Sequence, residues 1–169
     1  YNNRVTIALP ILGETQHRPD YARGPRSLAA VKLLRLSVTD RCNLRCTWCD
    51  TPQAFKGGTR MRRDVVLSRT LGFATPLVEL TGGEPLLQPG AIPLLAELCD
   101  AGKTVLVETS GEADVSSVDP RVHKIMDLKA PGSGESHRNR WSNLEHLGPR
   151  DEVKFVLADR ADYEFARDV

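Results

Sequence analysis

Five short apolar runs, each followed directly by a polar motif, constrain the fold of this 169-residue chain more than any other feature. The runs occupy residues 31–38, 77–80, 104–107, 124–126 and 152–157, and the last four lead into TGGEP, ETSG, DLKAPGSG and ADRADY. Helical apolar spacing marks the intervening residues 62–71 and 91–101, where Gly102 ends the second pattern. Strands that alternate with helices predict parallel βα units joined by right-handed crossovers.

The length of the chain limits how far such units can close. A complete eight-fold barrel takes about 250 residues, so we expect an α/β fold: a partial, incomplete TIM-type βα barrel of about six parallel strands. A short strand is expected around residues 5–9, within an irregular N-terminal segment, 1–30, that is rich in Pro, Arg and Gly; residues 31–169 form the barrel domain. The chain begins at Tyr1 and its last pattern, 162–169, resembles a helix cut short, so we expect a fragment truncated at its C-terminus.

The polar motifs all fall where a predicted strand ends. Loops at the carboxyl ends of parallel strands converge on one face, which is where such folds bind their ligands. We therefore expect the motifs to face a single cavity. Lys plus Arg number 23 against 22 for Asp plus Glu, which gives no electrostatic case for a nucleic acid partner and favours a small molecule. No stretch has the length of a membrane span or the pattern of a signal peptide, and we expect a cytoplasmic protein.

Three cysteines, Cys42, Cys46 and Cys49, lie in one loop after the first strand with the spacing C-x3-C-x2-C. Three thiolates can hold an iron-sulfur cluster by three of its irons and leave the fourth iron open to a ligand. The alternative is zinc, with Asp50, a histidine or Cys99 as the fourth ligand. A disulfide is less favoured because four cysteines without a secretory signal indicate a reducing compartment.

The later motifs carry groups suited to a ligand. Gly82 and Gly83 leave main-chain groups free, although a tight turn would explain them as well. Glu84 adds a carboxylate. The ETSG motif, residues 108–111, offers acceptors and hydroxyls for ribose or amine groups, with turn capping as the alternative.

Two charged residues flank Leu128 at the end of the fourth run. Asp127 and Lys129 are two positions apart, so in an extended strand they point to the same face. They could form a buried ion pair, or the lysine could reach a ligand. Residues 135–147 are expected to cover the strand ends as a lid or cap, or to form a packed surface helix.

These motifs together resemble a known family. CNLRCTWC resembles the cluster loop of the radical S-adenosylmethionine (SAM) superfamily, and TGGEP resembles the motif that contacts the methionine moiety of SAM. The order CDT, AFKGG, LTGGEPLLQ, VETSG, DLKAPGSGE and DEVKFVLADRADY is similar to the 7-carboxy-7-deazaguanine synthase family of the queuosine (7-deazapurine, tRNA modification) pathway. The similarity covers about residues 33–166. The string SVTDRCNLRC also resembles the radical enzyme of molybdopterin synthesis.

The resemblance implies a set of ligands and the residues that hold them. A 4Fe-4S cluster would bind Cys42, Cys46 and Cys49, and Mg²⁺ would bind Thr51. The implied SAM-binding residues are Trp48, Cys49, Asp50, Gly83, Asp127, Leu128 and Lys129. The implied substrate-binding residues are Ile11, Leu12, Gly13, Arg35 and Thr81, of which the first three belong to the ILGET string in the place of the family's substrate loop. No catalytic side chain is implied.

The reaction implied is a radical carbon-nitrogen lyase reaction. A 5′-deoxyadenosyl radical takes hydrogen from C6 of 6-carboxy-5,6,7,8-tetrahydropterin, and ring contraction with loss of ammonia gives 7-carboxy-7-deazaguanine. The implied partners are an external electron donor such as flavodoxin or ferredoxin and a second copy in a homodimer. Two alternatives stay open: a radical SAM activase that makes a glycyl radical on a protein partner, and a non-catalytic zinc-binding module.

The cysteine assignment predicts opposite results for two substitutions. We expect Cys46→Ala to abolish iron binding and SAM cleavage, because it removes one of the three thiolates. Cys99→Ala is expected to cost only core packing, of order 1 kcal/mol or less. Iron and labile sulfide analysis of the anaerobically reconstituted proteins measures the difference, and an equal loss of iron in both variants would show that the wrong thiols were chosen.

Overall fold

The computed structural model describes residues 32–37, 44 and 62–169. Its helices α1, α2 and α3 span Arg63–Leu71, Ala91–Asp100 and Arg160–Asp168. The strands β1 to β5 span Leu33–Ser37, Leu77–Thr81, Thr104–Thr109, His123–Leu128 and Glu152–Phe155. Short 3-10 helices cover Pro85–Leu87, Pro131–Ser133, Ser136–Arg138 and Trp141–His146.

The five strands form one sheet in the order of the sequence, and every neighbouring pair is parallel. This arrangement confirms the predicted α/β fold with an open, partial barrel-type sheet, of which the described residues form five strands where about six were expected. All five predicted strand positions carry a strand. The strand expected around residues 5–9 lies outside the described residues, as does the N-terminal segment to which it was assigned.

One face of the sheet is apolar and carries the core. Val78, Leu80, Val105 and Val107 alternate along β2 and β3, and all four are fully buried. Successive strand residues point to opposite faces, so this alternation directs one set of side chains toward the helices. The cluster continues through residues of α1 and α2: Val66, Leu94, Leu95 and Leu98. Burial of these apolar side chains provides the main driving force for the fold.

The opposite face is charged. It carries Arg35 of β1, Glu79 of β2, Glu108 of β3, Asp127 of β4 and Lys154 of β5, and the register places Arg35 beside Glu79 and Asp127 beside Lys154. Among the described residues, the helices α1 and α2 pack on the apolar side only. In a partial barrel the side opposite the helices is the inner face, and we call these five residues the inner-face charges.

The connection between β3 and β4 is a loop, as its Pro120 predicted. The side chain of Asn143, in the Trp141–His146 3-10 helix, is fully buried and hydrogen-bonds to this loop. Its Nδ2 donates to the carbonyl oxygens of Gly111 (3.1 Å) and Ala113 (2.7 Å), and its Oδ1 accepts from the amide of Val115 (3.3 Å). The segment 135–147 is therefore packed against the strand ends as short 3-10 helices, which is the capping arrangement without a long surface helix.

Helix α3 is anchored to the loop after β4 by one buried carboxylate. Asp162 accepts hydrogen bonds from the amides of Gly132 (2.7 Å) and Ala158 (2.9 Å) and is almost wholly buried. The side chain of Asp159 caps the start of the helix by accepting from the amide of Asp162. Within the described part of the chain, no helix is long and apolar enough to cross a membrane.

Two glycines with left-handed backbones provide a matched test of this packing. Gly111 has φ +78°, and a Cβ there would lie 3.1 Å from Cδ2 of Leu128 and 3.3 Å from Cγ of Met126. Gly102 has φ +77° and open space around the same position. We expect Gly102→Ala to cost about 1 kcal/mol from backbone strain alone, and Gly111→Ala to cost at least about 1 kcal/mol more from overpacking. Denaturant unfolding measures both; equal losses would mean that the core beside Gly111 adjusts freely.

Candidate functional site at the carboxyl edge

The polar motifs of the described strands meet at the carboxyl edge of the sheet. TGGEP follows β2, ETSG spans the end of β3, and Asp127 to Lys129 end β4. Because the strands are parallel, these ends lie side by side. The described motifs therefore lie along one edge, as predicted, and the cavity that they were expected to face remains a prediction. Of the cysteine loop, the structure describes only Leu44, which is buried.

The glycine pair after β2 forms a turn that other residues rarely adopt. Gly82 and Gly83 have φ angles of +91° and +40°. Positive φ is inexpensive only for glycine. The turn interpretation of this pair therefore holds, and Gly83, which has no side chain of its own, is exposed at the carboxyl edge. A ligand can approach the backbone at this point.

The Glu84 carboxylate accepts hydrogen bonds from groups within the protein. It is fully buried, and Oε1 accepts from the amide of Leu86 at 3.0 Å. Oε2 accepts from Oγ1 of Thr109 (2.9 Å) and from the amide of Ser110 (2.6 Å) and its hydroxyl (2.5 Å). The structural alternative is therefore present for Glu84, Thr109 and Ser110: these side chains join the TGGEP turn to the end of β3, since a buried carboxylate requires such donors.

The Glu108 side chain, unlike that of Glu84, points to the inner face of the sheet. Its Oε2 accepts from Oγ1 of Thr81 at 2.8 Å, and its Oε1 pairs with Nζ of Lys154 at 2.9 Å. Burial raises the pKa of Glu108, but the hydrogen bonds from Lys154 and Thr81, with the charge of Lys154, outweigh it and leave the pKa lowered. The carboxylate is accordingly ionised at neutral pH.

Among the described residues, Asp127 carries a buried side-chain acceptor that has no hydrogen-bond partner. Its Oδ2 lies 3.3 Å from Nζ of Lys129 and 3.4 Å from Nζ of Lys154. Its Oδ1 is buried and has no hydrogen-bond partner within the part of the chain that the structure describes. The ion-pair alternative for Asp127 and Lys129 is therefore present in the structure, yet one buried oxygen still requires a donor.

The main chain after β4 is held in place by Asn139. The amide of Lys129 donates to Oδ1 of Asn139 (2.8 Å), and Nδ2 of Asn139 donates to the carbonyl of Lys129 (2.9 Å). The side chain of Leu128 is fully buried on the apolar side of the sheet. Of Leu128, only the main chain is available to a ligand at this edge.

Arg35 is paired across the sheet. Its Nε and Nη2 donate to Oε2 of Glu79 at 3.1 and 3.0 Å, and its side chain keeps 29% of its surface exposed. A guanidinium has five N–H donors, so this pairing fixes its orientation and leaves other donors for a ligand.

Several predicted site residues lie outside the described residues: Ile11, Leu12, Gly13, Cys42, Cys46, Trp48, Cys49, Asp50 and Thr51. Among the described residues, no group of His, Cys, Asp and Glu is arranged to hold a metal ion. Cys99 packs against the core from α2, and burial raises the pKa of its thiol. This favours a core thiol over a zinc ligand at Cys99.

Three residues of the site were missed in the sequence. Glu79 interrupts an apolar run, and Lys154 lies between Val153 and Phe155; alternation within a strand then places each charge on the face opposite its apolar neighbours. Asn139 had no such signal, because its role depends on a main chain ten residues away.

An open parallel βα sheet with a glycine turn and paired charges at its carboxyl edge is typical of barrel-type domains, which generally place their binding sites at that edge. The profile of the family described as the Radical SAM superfamily matches residues 36–132. The chain belongs to the radical SAM superfamily. Membership implies a 4Fe-4S cluster and SAM, which favours iron over the zinc alternative.

Curated relatives and a solved structure give a narrower comparison. The chain is 46% identical over 148 residues to the 7-carboxy-7-deazaguanine synthase of Koribacter versatilis, covering 86% of this chain and 65% of that protein. It is 46% identical over 129 residues to the enzyme of the same name from Chlorobaculum tepidum, covering 75% and 59%. The crystal structure of QueE from Escherichia coli matches with a TM-score of 0.59 at 22% identity, over 80% of this chain and 66% of that one. The chain thus spans less than two thirds of the length of these two curated relatives, and the last comparison establishes the fold.

The described residues fit SAM in two respects. The adenosyl and methionine parts of SAM carry amine and hydroxyl donors, which match the unpaired Oδ1 of Asp127. The exposed main chain at Gly83 provides hydrogen-bonding groups on the same edge.

The Glu84 contacts predict the effect of an isosteric change. Glu84→Gln replaces one carboxylate oxygen by an NH₂ group, and either orientation sets that group against an existing donor. We expect a loss of about 2–3 kcal/mol in the free energy of unfolding, because buried donors at Ser110 and Thr109 or at Leu86 lose their acceptor. The control is Glu97→Gln, whose carboxylate is partly exposed beside Arg63 and is expected to change stability by less than about 1 kcal/mol. Similar losses for the two variants, measured by denaturant unfolding, would contradict this role for Glu84.

Proposed function

We propose that this chain is the radical SAM domain of an enzyme that converts 6-carboxy-5,6,7,8-tetrahydropterin to 7-carboxy-7-deazaguanine with loss of ammonia, in 7-deazapurine and queuosine biosynthesis. The observation that carries the proposal is the 46% identity over 148 residues with a relative of that activity by name. A third relative of the same name, from Thermoplasma acidophilum, is 36% identical over 136 residues. Loss of ammonia accounts for the whole difference in composition between the substrate and the product.

The cofactor is assigned to the β4 end and the glycine turn. Cys42, Cys46 and Cys49 would hold the 4Fe-4S cluster, and SAM bound with it would supply the radical chemistry that removes hydrogen from the substrate. Gly83 offers its main chain, and Asp127 and Lys129 offer a carboxylate and an ammonium within one strand end. Trp48, Cys49, Asp50 and the main chain of Leu128 complete the proposed set.

The substrate is assigned to the β1 and β2 side of the edge. Arg35 keeps guanidinium donors that are not used by Glu79, and such donors suit the carboxylate of the pterin. Thr81 donates its hydroxyl to Glu108 and is thereby oriented toward the inner face. Residues Ile11, Leu12 and Gly13 are proposed as the remaining substrate contacts.

The remaining components are proposed on the same resemblance. They are Mg²⁺ at Thr51, an external one-electron donor such as flavodoxin or ferredoxin, a homodimer and a cytoplasmic location. The side chain of Thr51 provides a hydroxyl oxygen, which is a ligand type that Mg²⁺ accepts.

Turnover of the pterin tests the proposal. We expect the anaerobically reconstituted full-length protein, supplied with SAM, Mg²⁺ and a reductant, to form 7-carboxy-7-deazaguanine and ammonia in equal amounts. Product is identified by mass spectrometry. The Cys46→Ala protein is the control and is expected to form none.

Two results would contradict the proposal. One is an intact cluster that cleaves SAM but forms no product from the pterin. The other is stimulation of SAM cleavage by a polypeptide and not by the pterin, which would support the activase alternative.

A further inference from the structure

The family resemblance gives no role to Lys154. Its contacts connect the proposed substrate side of the site with the proposed cofactor side. Lys154 lies in β5, beside Asp127 of β4 in the sheet register. Its ammonium contacts Oε1 of Glu108 at 2.9 Å and Oδ2 of Asp127 at 3.4 Å. One cation thus holds carboxylates from two different strands.

The two carboxylates have different second partners. Glu108 also accepts the hydroxyl of Thr81, on the proposed substrate side. Asp127 also contacts Lys129, on the proposed cofactor side. Lys154 therefore completes a chain of contacts that runs along the carboxyl edge from β2 to the end of β4.

The electrostatics agree with a fixed, charged Lys154. Burial lowers the pKa of its ammonium, but the hydrogen bond to Glu108 and the charges of Asp127 and Glu108 outweigh burial and raise the pKa. Without the Lys154 ammonium, less positive charge would offset the partly buried carboxylates of Glu108 and Asp127. Their mutual repulsion would then move them apart.

We propose that Lys154 is a positioning residue that holds Glu108 and Asp127 together, so that the substrate side and the cofactor side of the carboxyl edge keep one geometry. Oδ2 of Asp127 is fixed by two ammonium groups, and this directs the unpaired Oδ1 toward a ligand donor. Glu108, fixed by Lys154, in turn orients Thr81. The inference rests on the proposed function for the identity of the two ligands.

The test compares Lys154→Met, Lys154→Arg and Lys103→Met in the full-length, anaerobically reconstituted holoenzyme. Lys103 is a matched control at the opposite, amino end of β3, where its Nζ donates to the carbonyls of Phe73 (2.9 Å) and Thr75 (2.8 Å). The measurements are the dissociation constant of SAM by equilibrium dialysis, the separate KM and kcat values for the pterin, and the midpoint of unfolding.

We expect Lys154→Met to weaken SAM binding and to raise the pterin KM, each by about tenfold, with a smaller change in kcat. Lys154→Arg is expected to recover most of both losses, because a guanidinium can donate to two carboxylates at once. Lys103→Met is expected to lower the unfolding midpoint and leave SAM binding and KM unchanged.

The inference is overturned if Lys154→Met binds SAM and the pterin as the unsubstituted protein does, or if its losses equal those of Lys103→Met. Failure of the proposed function gives a different result: the unsubstituted protein then binds SAM but forms no product from the pterin. In that case the SAM dissociation constants of the three variants still decide the role of Lys154.

Discussion

One-sided burial of a parallel sheet is the constraint on which this structure depends. The described strands have helices packed on the side of Val78, Leu80, Val105 and Val107, and the alternate residues must face the inner side. Toward the carboxyl edge this inner side carries the charges of Arg35, Glu79, Glu108, Asp127 and Lys154. Each inner-face charge in turn needs a partner, because a partly buried charge without one is costly. The pairs on the inner face are thus a consequence of how the apolar face is built.

Two kinds of carboxylate result from this constraint, and they do different work. Glu84 lies inside the protein, accepts hydrogen bonds from Leu86, Thr109 and Ser110, and joins the β2 and β3 ends rigidly. Glu108 and Asp127 lie at the inner face and are held by side-chain cations. The buried Glu84 carboxylate fixes the main chain of the two strand ends, whereas the ion pairs hold the side chains of Glu108 and Asp127 at the inner face. The edge therefore combines a rigid main-chain frame with side chains that are held in place by ion pairs.

The sequence alone was sufficient for the strands and helices and for the edge at which the polar motifs meet. Alternation and helical spacing are local signals, and they placed α1 and α2 to within one residue at each end. The hydrogen-bond partners of the polar residues were harder to predict from the sequence. The tertiary fold sets these pairs, such as Glu84 with Ser110 and Asn139 with Lys129. The last strand ends at Phe155, before the predicted Val156 and Leu157, which are exposed. Apolar composition alone could not show that they lie beyond the ladder.

The inner face near the carboxyl edge balances its charges: Arg35, Lys129 and Lys154 are set against Glu79, Glu108 and Asp127. The described part of the face therefore contributes little net field to attract a ligand of one sign. Selection must then come from where each charge sits. A ligand that carries both an amine and a carboxylate can bind at an edge of paired charges, because each of its groups meets an opposite charge. An ion of one sign would neutralise one member of an ion pair and leave the other member without a partner. Paired charges of this kind add little to stability, and their value lies in the geometry they specify. For this reason the placement of Glu108 and Asp127 by a single ammonium matters more to recognition than the number of charges on the edge.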